Sequence, residues 1–304
     1  MDGMINIYKE EDYTSHDVVA RLRGILKQKK IGHTGTLDPK AQGVLPVCLG
    51  KGTKLCDMLA DRSKTYEAVI RLGVTTDTED MTGEILTNQD VLADEKQVQD
   101  VIMSFKGEYQ QVPPMYSALK LNGKKLYELA REGKTVERKP RPVVIHEITI
   151  LSIDLPRVTI RVDCSKGTYI RSLCRDIGEQ LGCGGAMERL LRTRVGNFML
   201  ENALTLAQVE ELVQSGDILE KVQSVDSAFM HLPEIVVPQT LEKRVNNGNS
   251  FFYRMKDGSA IKGDVRIYRE DGMFIGIYTY SSKNKQFEPN KLFFVEGCKD
   301  AVLS

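Results

Sequence analysis

The sequence is short of residues that bind metals in familiar patterns. Its 304 residues include only four histidines, and none of its six cysteines stands in a CxxC pair. We expect no zinc site, because such sites draw on closely spaced cysteines and histidines. Scattered cysteines also fit the reduced thiols of a cytoplasmic protein. The prediction is a cytoplasmic chain without a bound metal.

The sequence also lacks a long apolar run and an excess of charge of either sign. No apolar stretch follows a basic start, and none is long enough to cross a bilayer, so we expect neither a signal peptide nor a membrane partner. Lys plus Arg and Asp plus Glu both number 42. This balance gives no overall indication of a polyanionic partner but leaves local patches open. Length and composition indicate a soluble protein with one large and one smaller domain.

Strand and helix patterns follow one another without a regular βαβ order. Alternating or continuous apolar residues predict strands at 4–8, 44–49, 65–72, 140–153 and 156–164, and helical spacing predicts helices at 15–26, 98–105, 170–181 and from 205 onward. The polar segment at 75–84 predicts a loop. No glycine-rich turn has the spacing of a dinucleotide-binding or phosphate-binding loop. These patterns favour an α+β fold over a doubly wound one.

The segment 32–50, GHTGTLDPKAQGVLPVCLG, places a single carboxylate, Asp38, in a loop rich in glycine and proline. Glycine permits positive φ and proline fixes φ, so such a loop holds a definite shape. A rigid loop that presents one acid is a candidate active site. Asp38 followed by Pro39 also fits an N-cap and the first position of a helix. From the local sequence both interpretations stay open, and the cap is the commoner use of such a pair.

Basic residues concentrate between Lys120 and Arg141, where eight lysines and arginines stand against three glutamates. Tyrosines and an Asn122-Gly123 turn signal accompany them, as in an arm that grips phosphates. The alternative is a solvated face. A second basic set follows the 182–185 loop and consists of Arg189, Arg192 and Arg194. Two basic patches on a neutral protein indicate localised recognition of a polyanion.

Four segments together resemble the TruB family of tRNA pseudouridine synthases. In family order they are GHTGTLDPKAQGVLPVCLG (32–50), KTYEAVIRLG (64–73), QQVPPMYSALKLNGKKLYELAREG (110–133), and CSKGTYIRSLCRDIGEQLG (164–182) with MERLLRTRVG (187–196). The likeness extends over about residues 4–230. Beyond it, aromatic and β-branched runs alternate with turn signals, which predicts a small all-β module. This module is similar in length and position to the family's PUA-type RNA-binding domain.

The resemblance implies a fold and a function. It implies a catalytic domain at 1–230, built on a mixed, mainly antiparallel sheet flanked by helices, with an RNA-gripping arm at about 120–142 and a PUA-like all-β domain at 231–304. The implied enzyme converts the T-loop uridine of tRNA to pseudouridine by flipping the base, cleaving its bond to ribose, rotating it and rejoining it. It binds the tRNA T arm, needs no cofactor and acts as a stand-alone monomer. Assistance with tRNA folding is a further implied role.

The resemblance also assigns roles in the active site. Asp38 matches the catalytic aspartate, which acts as a nucleophile on ribose C1′ or uracil C6, or stabilises charge or moves the C5 proton. Arg171 matches the arginine that pairs with it; the alternative for Arg171 is a structural salt bridge. Tyr66 matches the tyrosine that stacks on the target base, and Tyr169 a second tyrosine of the pocket. Core packing is the alternative for both tyrosines.

Further residues are implied to bind RNA. His33 matches the histidine that fills the gap left by the flipped base, where a flat ring can stack. The residues that hold the RNA backbone are Lys64, Lys120, Lys124, Lys125, Arg131 and Arg141. Two other functions compete with the synthase: an RNA-binding, tRNA-folding factor that does not need Asp38, and a hydrolase that uses Asp38 to activate water and releases uracil.

Overall fold

The computed structural model of the protein describes residues 1–121, 123–254 and 262–294. The strands in chain order are β1 (Gly3–Lys9), β2 (Ile31–His33), β3 (Gln42–Leu49), β4 (Lys64–Leu72), β5 (Val74–Thr76), β6 (Ile85–Asn88), β7 (Gly107–Gln111), β8 (Lys120–Leu121), β9 (Lys124–Lys125), β10 (Arg141–Asp154), β11 (Arg157–Cys164), β12 (Gly185–Val195), β13 (Phe198–Met199), β14 (Glu234–Val236), β15 (Asp264–Tyr268), β16 (Phe274–Ser281) and β17 (Gln286–Leu292). The α-helices are α1 (Ser15–Ile25), α2 (Cys56–Ala60), α3 (Glu95–Ser104), α4 (Leu126–Arg131), α5 (Ile170–Gln180), α6 (Leu206–Ser215) and α7 (Gln239–Asn246). Asn122 of the predicted turn and Cys298 lie outside the described residues.

The larger unit is built on one sheet of nine strands. Their order is β1–β3–β12–β4–β11–β10–β7, with β2 beside β3 and β13 beside β12. Only the β3–β12 pairing is parallel among these described strands. Helices α1, α3, α5 and α6 bury apolar residues against the sheet. The predicted mixed, mainly antiparallel sheet flanked by helices is confirmed.

Helix α1 shows how local sequence and packing agree. The Thr14 hydroxyl accepts from the Asp17 amide at 3.1 Å, and the Asp17 carboxylate accepts from the Thr14 amide at 2.8 Å. This capping box satisfies amides that have no partner within the helix. Val18 and Leu22, one turn apart, are fully buried against Ile5 of β1. The predicted helix is confirmed, and the same face that the sequence pattern marks is the buried one.

The polar segment at 75–84 is a loop except at its first two residues. Thr75 and Thr76 belong to β5, which pairs with β6 just beyond the segment. The loop is fixed to β12 by two backbone hydrogen bonds: the Met187 amide donates to the Glu79 carbonyl at 3.0 Å, and the Met81 amide donates to the Met187 carbonyl at 3.0 Å. The loop residues between the two strands are therefore held against the central sheet.

The chain after residue 230 forms a second, four-stranded sheet in the order β14–β15–β16–β17. The predicted small C-terminal β domain is thus confirmed, and it also carries one short helix, α7, that was not predicted. Leu241 and Val245 stand four residues apart after Pro238, which is a helical pattern, and both pack on the small sheet. Phe274 of this unit shares a buried cluster with Val44 of the larger one. Within the described ranges, no helix has the length and apolar character of a membrane span.

Candidate active site

Asp38 lies in the loop between β2 and β3. Its carbonyl accepts from the Ala41 amide at 3.0 Å, which closes a turn over Pro39 and Lys40. No helix begins there, so the interpretation of Asp38 as a helix N-cap is wrong. The turn uses the backbone of Asp38 and leaves its carboxylate for another partner.

Two buried cations bind the backbone of the loop that carries Asp38. The Lys9 side chain is fully buried, and its ammonium donates to the carbonyls of Glu10, Tyr13 and Pro39 at 3.0, 2.6 and 2.9 Å. Burial lowers the pKa of Lys9 to about 8. Lys9 was missed in the sequence analysis. Strand alternation was the available signal, since it places Lys9 on the face of β1 that buries Ile5.

Arg192 is the second cation. It is only 1% exposed, so its assignment to a basic surface patch is wrong. Its guanidinium donates to the carbonyls of Val44 at 2.7 Å and of Gly35 and Thr36 at 3.4 Å each. Gly43 must be glycine here, because its φ is +105° and a Cβ atom at this position would lie 2.2 Å from the Arg192 carbonyl oxygen. The Asp38 loop and the start of β3 therefore pack closely against β12.

Arg171, near the start of α5, is the partner of the Asp38 carboxylate. Its Nε lies 3.0 Å from Oδ2 of Asp38, and its Nη2 lies 3.3 Å from Oδ1. The Arg171 side chain is 7% exposed, whereas that of Asp38 is 39% exposed. The same guanidinium donates to the carbonyls of Thr78 at 3.1 Å and Tyr116 at 2.9 Å. Because these four contacts fix the Arg171 guanidinium, it keeps the Asp38 carboxylate in one orientation. One side of that carboxylate still faces solvent.

Asp80 is a second carboxylate at Arg171 that the sequence analysis did not single out. Its Oδ2 lies 3.7 Å from Nη1 of Arg171, and its side chain is 13% exposed. Its Oδ1 accepts from the Thr82 amide at 3.0 Å and from the Thr78 and Thr82 hydroxyls at 2.8 and 2.5 Å. Asp80 is thus tied into its own loop. Of the two carboxylates, Asp38 is the one that a substrate can reach.

The two predicted tyrosines lie within electrostatic range of Asp38. Burial raises the pKa of both Tyr66 and Tyr169, and the Asp38 charge acts in the same direction on each. Tyr66 on β4 is paired across the sheet with Arg192, whose other neighbour, Gly43, lies near the start of β3, just after the Asp38 loop. Tyr169 is fixed at the start of α5 by hydrogen bonds of its amide and carbonyl to the Gln111 side chain, at 2.8 and 3.0 Å. Both tyrosines are therefore neutral and close enough to feel the Asp38 charge.

His33 stands at the other end of the loop, on the last residue of β2. Its Nδ1 accepts from the Gly35 amide at 3.3 Å, and its ring packs edge-on against His16 with centroids 5.2 Å apart. Burial lowers the pKa of His33, and its electrostatic interactions with the neighbouring His16 ring and with Arg192 act in the same direction. The ring is therefore neutral, which suits stacking on bases.

The predicted RNA contacts divide into two groups. Lys64 is 8% exposed, and its ammonium donates to the carbonyls of Ala60 at 2.5 Å and Arg62 at 2.7 Å, an arrangement that favours a structural role. The others lie on the surface, with one of them half-buried: Lys120, Lys124, Lys125, Arg131 and Arg141. The first four belong to the β8–β9 hairpin and α4, and all five lie in the predicted arm, at about residues 120–142.

Aromatic and main-chain contacts give the arm its shape. The Tyr127 ring lies between two cations, with Nζ of Lys125 and Cζ of Arg131 each 5.3 Å from its centroid. The Tyr127 amide donates to the Ser117 carbonyl at 3.1 Å.

Within the part of the chain that the structure describes, His, Cys, Asp and Glu side chains form no cluster that could hold a metal.

Two family models match the chain. The N-terminal domain of the TruB family pseudouridylate synthases matches residues 23–170, and the C-terminal domain of tRNA pseudouridylate synthase B matches residues 171–238. The junction falls at the start of α5, inside the unit that β12 and β13 complete.

Curated relatives match over nearly the whole chain. The tRNA pseudouridine synthase B of Lachnoclostridium phytofermentans is 53% identical over 306 residues, which cover 96% of this chain and 100% of that protein. The protein of the same name from Clostridium kluyveri is 46% identical over 298 residues, with the same two coverages.

Solved structures agree with this assignment. A Cbf5-Nop10-Gar1 complex matches with a TM-score of 0.70 at 29% identity, covering 96% of this chain and 85% of the other. An H/ACA RNP bound to a substrate RNA containing 2′-deoxyuridine matches with a TM-score of 0.69 at 27% identity, covering 96% and 84%. The chain therefore belongs to the TruB family of tRNA pseudouridine synthases, which are isomerases.

Proposed function

We propose that this protein isomerises the T-loop uridine of tRNA to pseudouridine, with Asp38 as the catalytic residue. The observation that carries the proposal is the pair formed by a solvent-facing Asp38 carboxylate and a buried Arg171. Tyr66 and Tyr169 lie within electrostatic range of Asp38. A carboxylate that is held by an arginine, with aromatic rings near it, suits a reaction that binds a flat base and attacks its nucleoside.

The reaction breaks the C1′–N1 bond of uridine and forms a C1′–C5 bond. The C5 atom loses its proton and N1 gains one, so substrate and product have the same composition. Asp38 supplies either a nucleophile for C1′ or C6, or a group that stabilises charge or carries the C5 proton. Arg171 keeps the Asp38 carboxylate aimed in any of these roles.

A uridine inside a folded T loop must leave the stack before Asp38 can reach it. The neutral His33 ring lies at the start of the protein loop that carries Asp38, and it is suited to fill the space that the base leaves in the tRNA. Stacking on an aromatic ring contributes about 1–3 kcal/mol per base, which offsets part of the cost of unstacking.

The arm and the C-terminal unit supply the remaining contacts to tRNA. Exposed lysines and arginines of the arm suit the phosphate backbone. The C-terminal unit acts as a PUA-like RNA-binding domain, and its exposed cations include Lys243, Arg244, Lys262, Lys283 and Lys285. The enzyme works as a monomer without a metal or cofactor, and the same grip assists tRNA folding.

Incubation with an unmodified tRNA transcript tests the function directly. We expect pseudouridine at the T-loop uridine, with no free uracil, because isomerisation conserves the base. Pseudouridine is mapped by its specific chemical adduct and reverse-transcription stop. Release of free uracil would instead identify a hydrolase. Refolding of the tRNA without any pseudouridine would leave only the folding factor.

A second experiment tests the arm. Replacing Lys124, Lys125 and Arg131 together by Gln removes up to three phosphate contacts, so we expect the slope of log affinity against log salt to become shallower by about two to three. Affinity for tRNA at low salt falls about tenfold or more for the same reason. Filter binding at several salt concentrations measures both quantities.

The matched control replaces three exposed lysines outside the arm, Lys96, Lys106 and Lys221, by Gln. It makes the same change in net charge and leaves the salt slope nearly unchanged. If the arm variant and the control had equal slopes, the arm would not be the phosphate-binding surface.

A further inference from the structure

Glu79 is a buried carboxylate in the β5–β6 loop that the reaction does not use. Its residue is 8% exposed, and its φ is +65°, a left-handed conformation that is uncommon for a residue with a long side chain. Such a conformation persists only where the surroundings determine it, and it concentrates at functional sites. The residues on both sides of Glu79 contact Arg171, Thr78 through its carbonyl and Asp80 through its carboxylate.

The Glu79 side chain joins two elements behind the active site. Its Oε2 accepts from the Ser172 hydroxyl at 2.6 Å, and its Oε1 accepts from Nη1 of Arg175. Ser172 directly follows Arg171 in α5 and is fully buried, and Arg175 lies one turn further on. Through these bonds Glu79 fixes the β5–β6 loop to the helix that carries Arg171.

A second arginine brings the arm to the same carboxylate. Nη1 of Arg138, on the returning end of the arm, lies 4.0 Å from Oε1 of Glu79. The same Nη1 donates to the Pro113 carbonyl at 3.1 Å, and Nη2 of Arg175 donates to the Val112 carbonyl at 3.1 Å. The segment that leads into the arm, 112–116, and the returning end of the arm at Arg138 are therefore both held close to one acid.

This arrangement leads directly to the catalytic pair. The entering segment ends at Tyr116, whose carbonyl accepts from Arg171 at 2.9 Å. Arg138 can bind Glu79 more tightly than it does here. Its Nε atom is buried without a hydrogen-bond partner among the described residues, and the distance from its Nη1 to Oε1 of Glu79 is at the limit of an ion pair. A shift of the arm can strengthen or break this contact without unfolding either element.

We infer that Glu79 is a positioning residue that couples the RNA-bound arm, through Arg138 and Arg175, to the orientation of Arg171 and Asp38. The inference rests on the proposed role of the arm in gripping tRNA. Glu79 touches neither substrate nor Asp38. Arg175 is also paired with Asp176, but Glu79 is the carboxylate that it shares with Arg138, so loss of the Glu79 charge removes the attraction that links the arm to α5.

Glu79→Gln is the informative variant. Glutamine keeps the size of the side chain, an oxygen that accepts from Ser172, and the same backbone strain, but it removes the charge and the acceptor that faces Arg175. In single-turnover reactions with saturating enzyme, we expect the rate of pseudouridine formation to fall about tenfold. We expect this effect to shrink to less than about twofold when Lys124, Lys125 and Arg131 are already replaced by Gln, because the arm then has no grip on RNA to transmit.

An equal factor in both backgrounds would overturn the inference, because it would show a local structural role. If Glu79→Gln does not fold, as judged by its thermal transition, Arg138→Gln takes its place. Arg138 is 21% exposed and is expected to show the same dependence on the arm. Arg138→Lys keeps the charge and should recover part of the rate, whereas no recovery contradicts the electrostatic coupling.

The same data separate this inference from the proposed function. The arm variant with Glu79 intact reports on the arm alone. An unchanged tRNA dissociation constant and salt slope in that variant would remove the role of the arm, and the coupling with it. A weakened dissociation constant with additive effects of the two changes would remove the coupling only.

Discussion

We expect the Asp38→Asn variant to lose pseudouridine formation by at least about 10,000-fold while it still binds tRNA. Asparagine has nearly the same shape but is neither a nucleophile nor a base at neutral pH. Binding is retained because the loop is held by Lys9 and Arg192, which contact its carbonyls and not the Asp38 side chain. Single-turnover assays and filter binding on a T-arm stem-loop measure the two effects separately.

Asp100→Asn is the matched control for this change. Asp100 is an exposed carboxylate on α3 that pairs with the exposed Lys96, so its replacement should leave the rate unchanged. Activity of Asp38→Asn within tenfold of the original enzyme would refute the catalytic assignment. The tRNA-folding function would then be the better account of the arm and the C-terminal unit.

Arg171→Met is expected to have the second largest effect, a rate loss of about 1,000-fold. Methionine fills the space but leaves Asp38 and Asp80 without the cation between them, so the Asp38 carboxylate is no longer aimed. The free energy of unfolding should fall by about 2 kcal/mol, less than for a fully buried pair, because Asp38 is 39% exposed and reaches water. Urea unfolding and single-turnover rates provide the two measurements.

Two further variants distinguish a catalytic role of Arg171 from a structural one. Arg171→Lys keeps the charge but cannot present the fork that meets both Asp38 oxygens, so an intermediate rate is expected. Arg161→Met removes an exposed arginine that pairs with Glu67 at 2.7 Å and should cost less than about 1 kcal/mol with no change in rate. An Arg171→Met enzyme that loses stability but keeps its rate would make this pair a structural salt bridge.

Local sequence was sufficient for most elements of the larger unit. Helix α1 carries its own capping box and an apolar face, β1 is a continuous buried run, and β4 shows much of the alternation expected of a strand. Those signals operate within a few residues, so tertiary context had little to change. Helix α7 was missed because its short Leu241–Val245 pattern lies among strand-like aromatic runs.

The candidate site was predictable only in part. The four family-like segments identified Asp38, Arg171, Tyr66, Tyr169 and His33, and the structure places them around one loop. They did not mark Asp80 or Lys9, since an aspartate in a polar loop and a lysine at a strand end are ordinary in sequence. Arg192 was misplaced on the surface, because a basic residue carries no local sign that a neighbouring loop will offer it three carbonyls.

By itself, the sequence determined the class of fold, the rigid loop around Asp38 and the basic character of the arm, since each depends on residues adjacent in the chain. Only the tertiary structure decided which charges meet. Asp38 and Arg171 are 133 positions apart, and the order β3–β12–β4–β11 of the sheet brings their elements together. It also decided that Asp38 closes a turn and caps no helix. Burial of Arg171 and exposure of Asp38 are properties of that packing, and they leave this aspartate, and not Asp80, open to solvent.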